Sequence, residues 1–223
     1  MKIIVSLSGG ADSSTLLAYL WNNPHIETIH CISFIYGSKH NKYENEAAKN
    51  IADDYGVGLD FIDVSAVFEG LSNSSLMMGG GQIPEGGYDK ENMASTVVPG
   101  RNLIFASILA SKAQDMGFDG IALGVHAGDH YIYADCRPNW VDGLESVLMM
   151  QTENPMFTVL TPFALMSKKQ IIGKGDELEV PYEHTRSCYK DQEIACGKCG
   201  TCIERKEAFA KNGLVDPIKY EEE

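Results

Sequence analysis

No apolar run in this sequence approaches the ~20 residues that a bilayer-spanning helix needs. The first residues carry one Lys and only a few apolar positions before Ser6 and Ser8. A secretory signal is therefore not expected, and the chain reads as cytoplasmic. Positive charge is scarce: 18 Lys and Arg against 31 Asp and Glu leave a formal net charge of −13. A protein that grips nucleic acid through its phosphates shows a basic face, so a stable nucleic-acid partner is not expected and a small-molecule substrate is. The acidic surplus reads as a solvated surface, and "YEEE" at 220–223 as a frayed tail. Internal repeats are absent. So are the Gly-Lys-Ser/Thr of a Walker A loop and the glycine spacing of a Rossmann turn. Nor are disulfides needed, because a chain of 223 residues is long enough to bury a core of its own.

What is present alternates. Apolar, β-branched runs at 2–7, 27–36, 59–65, 119–126 and 157–163 read as strands. Between them, 13–22, 41–56, 102–117, 138–152 and 167–178 carry helical patterns. Gly56 and Gly117 close two of these helices, Pro138 opens one and Ser167 caps another. Strand–helix alternation predicts βαβ units around a mostly parallel sheet, with ligands at the carboxyl ends of the strands. One long irregular stretch, about 70–99, contains "MMGGGQIPEGGYDKEN" and is either a lid or a disordered surface insertion.

The first strand runs directly into "SLSGGADSSTLL", residues 6–17. Adjacent glycines between a strand and a helix gather backbone N–H groups at a helix N-terminus, a point that attracts anions. Ser8, Ser13, Ser14 and Thr15 add hydroxyls. Asp12 repels an anion, and makes sense there if it holds Mg²⁺ or caps the helix.

Six cysteines are present, and Cys188, Cys196, Cys199 and Cys202 crowd into "SCYKDQEIACGKCGTC". In a cytosolic chain such a cluster suggests a metal before disulfides. Four thiolates suit Zn²⁺ or an iron–sulfur cluster, and the spacing alone excludes neither. The knuckle-like Cys196-Gly197-Lys198-Cys199 favours zinc. Such a site is saturated, hence structural. Arg186, Lys190, Lys198, Arg205 and Lys206 are near enough in sequence to offset its negative charge.

"SGGADS" resembles the Ser-Gly-Gly-X-Asp-Ser loop of the ATP pyrophosphatases, which split ATP into AMP and pyrophosphate while adenylating an oxygen. Four further stretches narrow the resemblance: "FIYGSKHNKYENEAAKNIA" (34–52), "VPGRNLIF" (98–105), "GVHAGDHYIYADCRPNW" (124–140), and "TPF…SKKQII…VPYEHTRSCY" (161–189) with the cysteine knuckle. Together, in order and over nearly the whole length, they are similar to the 7-cyano-7-deazaguanine synthase family of the queuosine pathway.

That resemblance implies a five-stranded parallel sheet with helices on both faces, of the adenine nucleotide alpha hydrolase type. It implies an ATP pyrophosphatase domain at 1–183 and a four-cysteine zinc segment at 184–223 packed on it. The substrates would be ATP with Mg²⁺, 7-carboxy-7-deazaguanine and ammonia, and the assembly a homodimer. The carboxylate would be adenylated and converted to an amide; a second adenylation would then give the nitrile. ATP would be held by Leu7, Ser8, Gly9, Gly10, Ala11, Asp12, Ser13, Ser14, Thr15, Leu16 and Leu17, and adenine would meet the Ser33–Tyr36 region. Asp12, Ser13, Arg101, Asp135 and Arg137 would be catalytic. Within that set, Arg101 would pair with phosphate or the substrate carboxylate, Asp135 would accept from the guanine-like edge, and Arg137 would clamp a carboxylate. His40 and His126 are either proton carriers or satisfied polar residues, and Cys136 is a packed thiol.

The chain departs from the family at Ala11, and at Ala134, where the family has Pro before Asp-Cys-Arg. Three competing readings remain: a relative that stops at the amide or uses another acceptor, a tRNA-modifying enzyme of the same fold, and a zinc-knuckle binding module. The tRNA reading wants a basic face and a spare cysteine pair; the binding module wants a broken loop, and the loop is intact. No glutaminase domain or N-terminal Cys is present, so ammonia must come free or from a partner.

Overall fold

The computed structural model describes residues 1–127 and 133–221. Of the stretches carrying the resemblance, "GDHYI" (128–132) lies outside the described residues.

Five strands form one parallel sheet: β1 (Lys2–Ser6), β2 (Thr28–Ile35), β3 (Gly58–Asp63), β4 (Gly120–Ala122) and β5 (Thr158–Leu160). Their order is β3-β2-β1-β4-β5, with Ile3 paired to Ile29 on one side and to Gly120 on the other. In β1 the consecutive Ile3, Ile4 and Val5 are all fully buried, which is why the strand reads as an unbroken apolar run. Ile4, Ile32, Ile121 and Val159 face α5 (Arg101–Met116) and α6 (Pro138–Gln151). Ile3, Val5, Cys31 and Ala122 face α1 (Ala11–Trp21), α2 (Asn41–Tyr55) and α7 (Lys168–Glu177). Each fully buried Ile or Leu contributes about 1.5–3 kcal/mol, so both layers are held by the same short strands.

The remaining helices are α3 (Ser65–Phe68), α4 (Lys90–Met93) and α8 (Gly200–Lys211). α8 packs its Ala208 and Phe209 with Ile172 of α7 and with Tyr182. The predicted helix ends are present: Gly56 and Gly117 adopt positive φ, and Ser167 forms a reciprocal capping box with Gln170. No single helix among the described residues is long and apolar enough to cross a membrane.

Three expectations are corrected. β4 and β5 are three residues each, shorter than their apolar runs; after β4, Leu123 N still donates to Leu160 O at 3.0 Å, and Gly124, Val125 and His126 line the cleft described below. Of the two readings of the 70–99 stretch, the disordered insertion is overturned: Ser74, Ser75, Leu76, Met77, Met93 and Thr96 are buried. Gly86 N donates to Lys198 O at 2.9 Å, and Glu85 bridges to Cys199. This strap ties the end of β2 to the cysteine knuckle. Nor is the tail frayed at Tyr220 and Glu221: Tyr220 OH donates to Asp216 at 2.5 Å, and Glu221 N to Ala195 O at 2.9 Å.

Candidate active site

The strand order reverses between β1 and β4, and a cleft of about 260 Å³ opens at their carboxyl ends, where doubly wound sheets bind ligands. The loop after β1 is its floor. Gly9 sits at φ +75°, and a Cβ there would fall 2.4 Å from Ala48 N, so only glycine lets the loop lie against α2. Ser8 and Ser13 tie the turn: Ser8 N donates to Ser13 Oγ at 3.2 Å, the two hydroxyls are 3.1 Å apart, and Gly10 N donates to Ser8 Oγ at 3.2 Å. Opposite, Gly124 brings β4 against α1; a Cβ there would lie 3.3 Å from Ser13 N.

Of the residues expected to hold ATP, Ser8, Gly10, Ala11, Asp12 and Ser13 line the cleft. Leu7, Leu16 and Leu17 lie in the core behind it. Ser14 is buried, its Oγ without a hydrogen-bond partner among the described residues. The Thr15 hydroxyl turns to Ala11 O and Tyr182 OH, both at 2.8 Å. From the end of β2 it is Tyr36 that reaches the cleft, while Ser33 is buried within the strand.

Asp12 does not cap α1. Gly10 is the cap residue, and no side chain bonds there. Both Asp12 oxygens are instead taken by Lys168 Nζ, at 2.7 and 2.6 Å, with His126 Nε2 3.6 Å away. Burial alone raises this carboxyl, but Lys168 and then His126 more than offset it, holding it well below the usual carboxylate range. Lys168 opens α7, 156 residues from Asp12, and its own ammonium lines the cleft beside the loop. The sequence reading missed it, because "SKKQII" announces a capped helix and nothing more.

The opposite wall carries Arg101, the first residue of α5, with Tyr36, His40, Glu44 and Arg186. Arg101 stacks over the Tyr36 ring at 5.8 Å. It also lines a second hollow of about 180 Å³ formed by Val97–Gly100, Tyr133, Ala134, Asp135 and Tyr189. Arg101, Tyr133 and Tyr189 are common to both hollows. Asp135 thus belongs with the second hollow, and Cys136 lines the first. Burial pushes the Cys136 thiol up to about 12, as fits a packed, unreactive group. Arg137 stands at the entrance of α6 and lines neither hollow as described.

The four knuckle cysteines are buried, and their sulfurs lie within 4.8 Å of one another. Backbone N–H groups point at them: Lys190 N and Cys196 N at Cys188 Sγ, both at 3.4 Å, and Lys198 N and Cys199 N at Cys196 Sγ, at 3.4 and 3.3 Å. Sulfur–sulfur contacts with Cys188 and Cys202 pull the Cys199 thiol far below its usual value. Convergent sulfurs already served by N–H donors fit a soft cation. Three of the five nearby cations expected to balance such a site also have other partners: Arg205 is bidentate to Asp216 at 2.9 Å, Lys190 pairs with Glu85, and Arg186 donates to the carbonyls of Lys190, Gln192 and Glu193. Ser187, Tyr189, Thr201 and Glu204, neighbours of the ligands in sequence, line the cleft.

The sequence model of the family described as Queuosine biosynthesis protein QueC matches residues 2–213. The chain belongs to the QueC family. A QueC relative from Caldicellulosiruptor saccharolyticus is 43% identical over 221 residues, covering 99% of this chain and 96% of its own, and one from Marinomonas sp. is 39% identical over 223 residues, covering 99% and 98%. Both are named 7-cyano-7-deazaguanine synthase. Among solved structures, the U34-tRNA thiolase NcsA from Methanococcus maripaludis, described with its [4Fe-4S] cluster, superposes with TM-score 0.51 at 16% identity, over 95% of this chain and 66% of its own. NMN synthetase from Francisella tularensis gives 0.50 at 13%, over 96% and 77%. At those identities the likeness shows the fold.

Proposed function

We propose that this QueC-family chain converts 7-carboxy-7-deazaguanine, ammonia and ATP into 7-cyano-7-deazaguanine, releasing AMP and pyrophosphate in two adenylation rounds. The observation that carries the reading is the pair of hollows that share Arg101 at the switch point of a sheet with full-length family membership. The first takes ATP, with the β1 loop, the α1 N-terminus and Lys168 around its phosphates. The second takes the deazaguanine: Asp135 accepts from its N–H edge, and Tyr133 and Tyr189 pack on its rings. Arg101 then stands where the 7-carboxylate meets the α-phosphate, and neutralises both as they approach. In this arrangement Asp12 orients Lys168, and Mg²⁺ accompanies ATP as part of the substrate. Arg137 remains a proposed carboxylate clamp acting from the α6 entrance.

Cys188, Cys196, Cys199 and Cys202 are proposed to hold Zn²⁺, which supplies folding energy and no reaction step. The α7–α8 contact through Ile172 and Phe209 supports reading residues 184–223 as a segment packed on an ATP-binding domain of residues 1–183. Elemental analysis together with the absence of visible absorption distinguishes zinc from an iron–sulfur cluster. The proposed assembly is a homodimer in the cytoplasm, and the exposed Val147 and Met150 on α6 offer apolar surface for it; light scattering measures its mass.

The deciding experiment is mass spectrometry of the products after incubation with 7-carboxy-7-deazaguanine, ATP, Mg²⁺ and ammonium. A nitrile with two AMP per turnover is expected. Ala134, which lines the second hollow where the family has Pro, favours one second reading: a relative that stops at the amide, which the same assay would reveal as one AMP per turnover.

A further inference from the structure

Three side chains stand together on the α2 side of the cleft, across from Lys168 and beside Arg101. Tyr36 follows β2, His40 precedes α2, and Glu44 lies one turn further on; all three line the cleft. His40 Nε2 is 3.4 Å from Glu44 Oε2 and 3.4 Å from Tyr36 OH. His40 Nδ1 is buried with no hydrogen-bond partner among the described residues. Burial, assisted by Arg101, pushes the His40 ring down to about 3, so it is neutral at working pH and has one N–H to give. Glu44 keeps 20% of its side chain open to the cleft. Burial pushes its carboxyl up to about 8, against the pull of Arg101 and Arg186. The charged and titratable groups facing it are His40 just before its own helix, Tyr36 just after β2, Arg101 from α5 and Arg186 from the segment before the knuckle.

The nitrogen substrate poses a problem that these residues answer. Near neutral pH it is mostly ammonium, which has no lone pair to attack with. A base of nearly matched strength beside the acyl carbon removes that barrier.

We propose that Glu44 is the proton acceptor for the nitrogen nucleophile, and that His40 is its positioning residue. The inference rests on the proposed nitrile synthesis and names the group that serves its amide-forming half. Ammonium gives one proton to the Glu44 carboxylate and becomes ammonia. Its lone pair forms the C–N bond to the acyl carbon. The C–O bond to AMP breaks with its electron pair on the AMP oxygen, and the second nitrogen proton leaves on the AMP phosphate. Glu44 returns its proton to solvent through the open side of the cleft.

The test uses the full chain and its Glu44→Gln, Glu44→Asp and His40→Gln variants, with three readouts: carboxylate-dependent exchange of labelled pyrophosphate into ATP, amide formation from ammonium across pH, and hydroxamate formation from hydroxylamine. Hydroxylamine is uncharged near neutral pH and needs no base. Glu44→Gln is expected to keep exchange and hydroxamate formation within a few-fold, while amide formation falls by about 10²–10⁴. At fixed free ammonia the ammonium present falls as pH rises, so the unsubstituted chain holds its rate below about pH 8 and loses it above, and Glu44→Gln lacks that limb. Glu44→Asp restores part of the ammonium rate, and His40→Gln shifts the limb. Exchange lost in step with amide formation places Glu44 in adenylation and overturns the proposal, as does an unchanged ammonium rate. No exchange in the unsubstituted chain overturns the proposed function, and this inference with it.

Discussion

Asp12 and Lys168 show how a single contact can change a residue's meaning. In sequence, Asp12 is an anion in an anion site. In space, both of its oxygens are occupied by Lys168, so the pair delivers a fixed cation to the loop. Removing an oriented charge of this kind costs about 10²–10³ in rate. Lys168→Ala and Asp12→Asn are therefore each expected to slow pyrophosphate exchange by that order, and the double variant by little more than either alone, because one interaction is lost in all three. Glu44 predicts a stability effect of the opposite kind to most carboxylates. Its folded value lies above the ordinary 4.5, at about 8, so between those limits the unfolded chain binds fewer protons and stability falls as pH rises. Glu44→Gln is expected to flatten the decline of Tm between pH 4.5 and about 8, measured without substrates. At this scale the glycines and serines of the β1 loop were legible because their work is local. Lys168 and Glu44 were not, since helix packing alone brings them to the cleft, whereas Tyr36 lay within the stretch after β2 that the resemblance had already pointed to.

At the scale of elements, the 70–99 strap and the knuckle are one assembly. Glu85 pairs with Cys199, and Gly86 N binds Lys198 O. Cys199→Ser is expected to lower metal content, and to raise amide hydrogen exchange around Gly86 as well as in the knuckle; a variant without metal but with unchanged exchange would contradict a structural site. Arg205 on α8 is a separate strut. It is fully buried, its partner Asp216 is 8% exposed, and it also donates to Thr185 Oγ1 at 2.6 Å and Tyr182 O at 3.1 Å. Removing one member of such a buried pair costs about 3–5 kcal/mol, so Asp216→Ala should show that loss in denaturant titration. Here the sequence was half legible. Cysteine spacing and helix caps pointed to the right elements. The order of 70–99 was hidden, because its glycine-rich composition carries no period and its buried positions are set by neighbours distant in sequence.

At the scale of the molecule, the alternation of apolar runs with helical patterns was enough to infer a mostly parallel sheet, since short connections leave few alternatives, and the family resemblance implied its five parallel strands. The length of β4 was not legible, because Gly124, Val125 and His126 line the cleft and do not continue the strand. The strand order has a consequence for how the protein is made. β1 leaves the ribosome first, yet it pairs through Ile3 with Gly120, and the loop it carries waits for Lys168 and then Arg186. The cleft is thus unfinished until the chain has been made as far as Arg186, and nucleotide capture would mark that point. A nascent chain stalled before Lys168 would carry the whole glycine loop and still lack the wall that faces it.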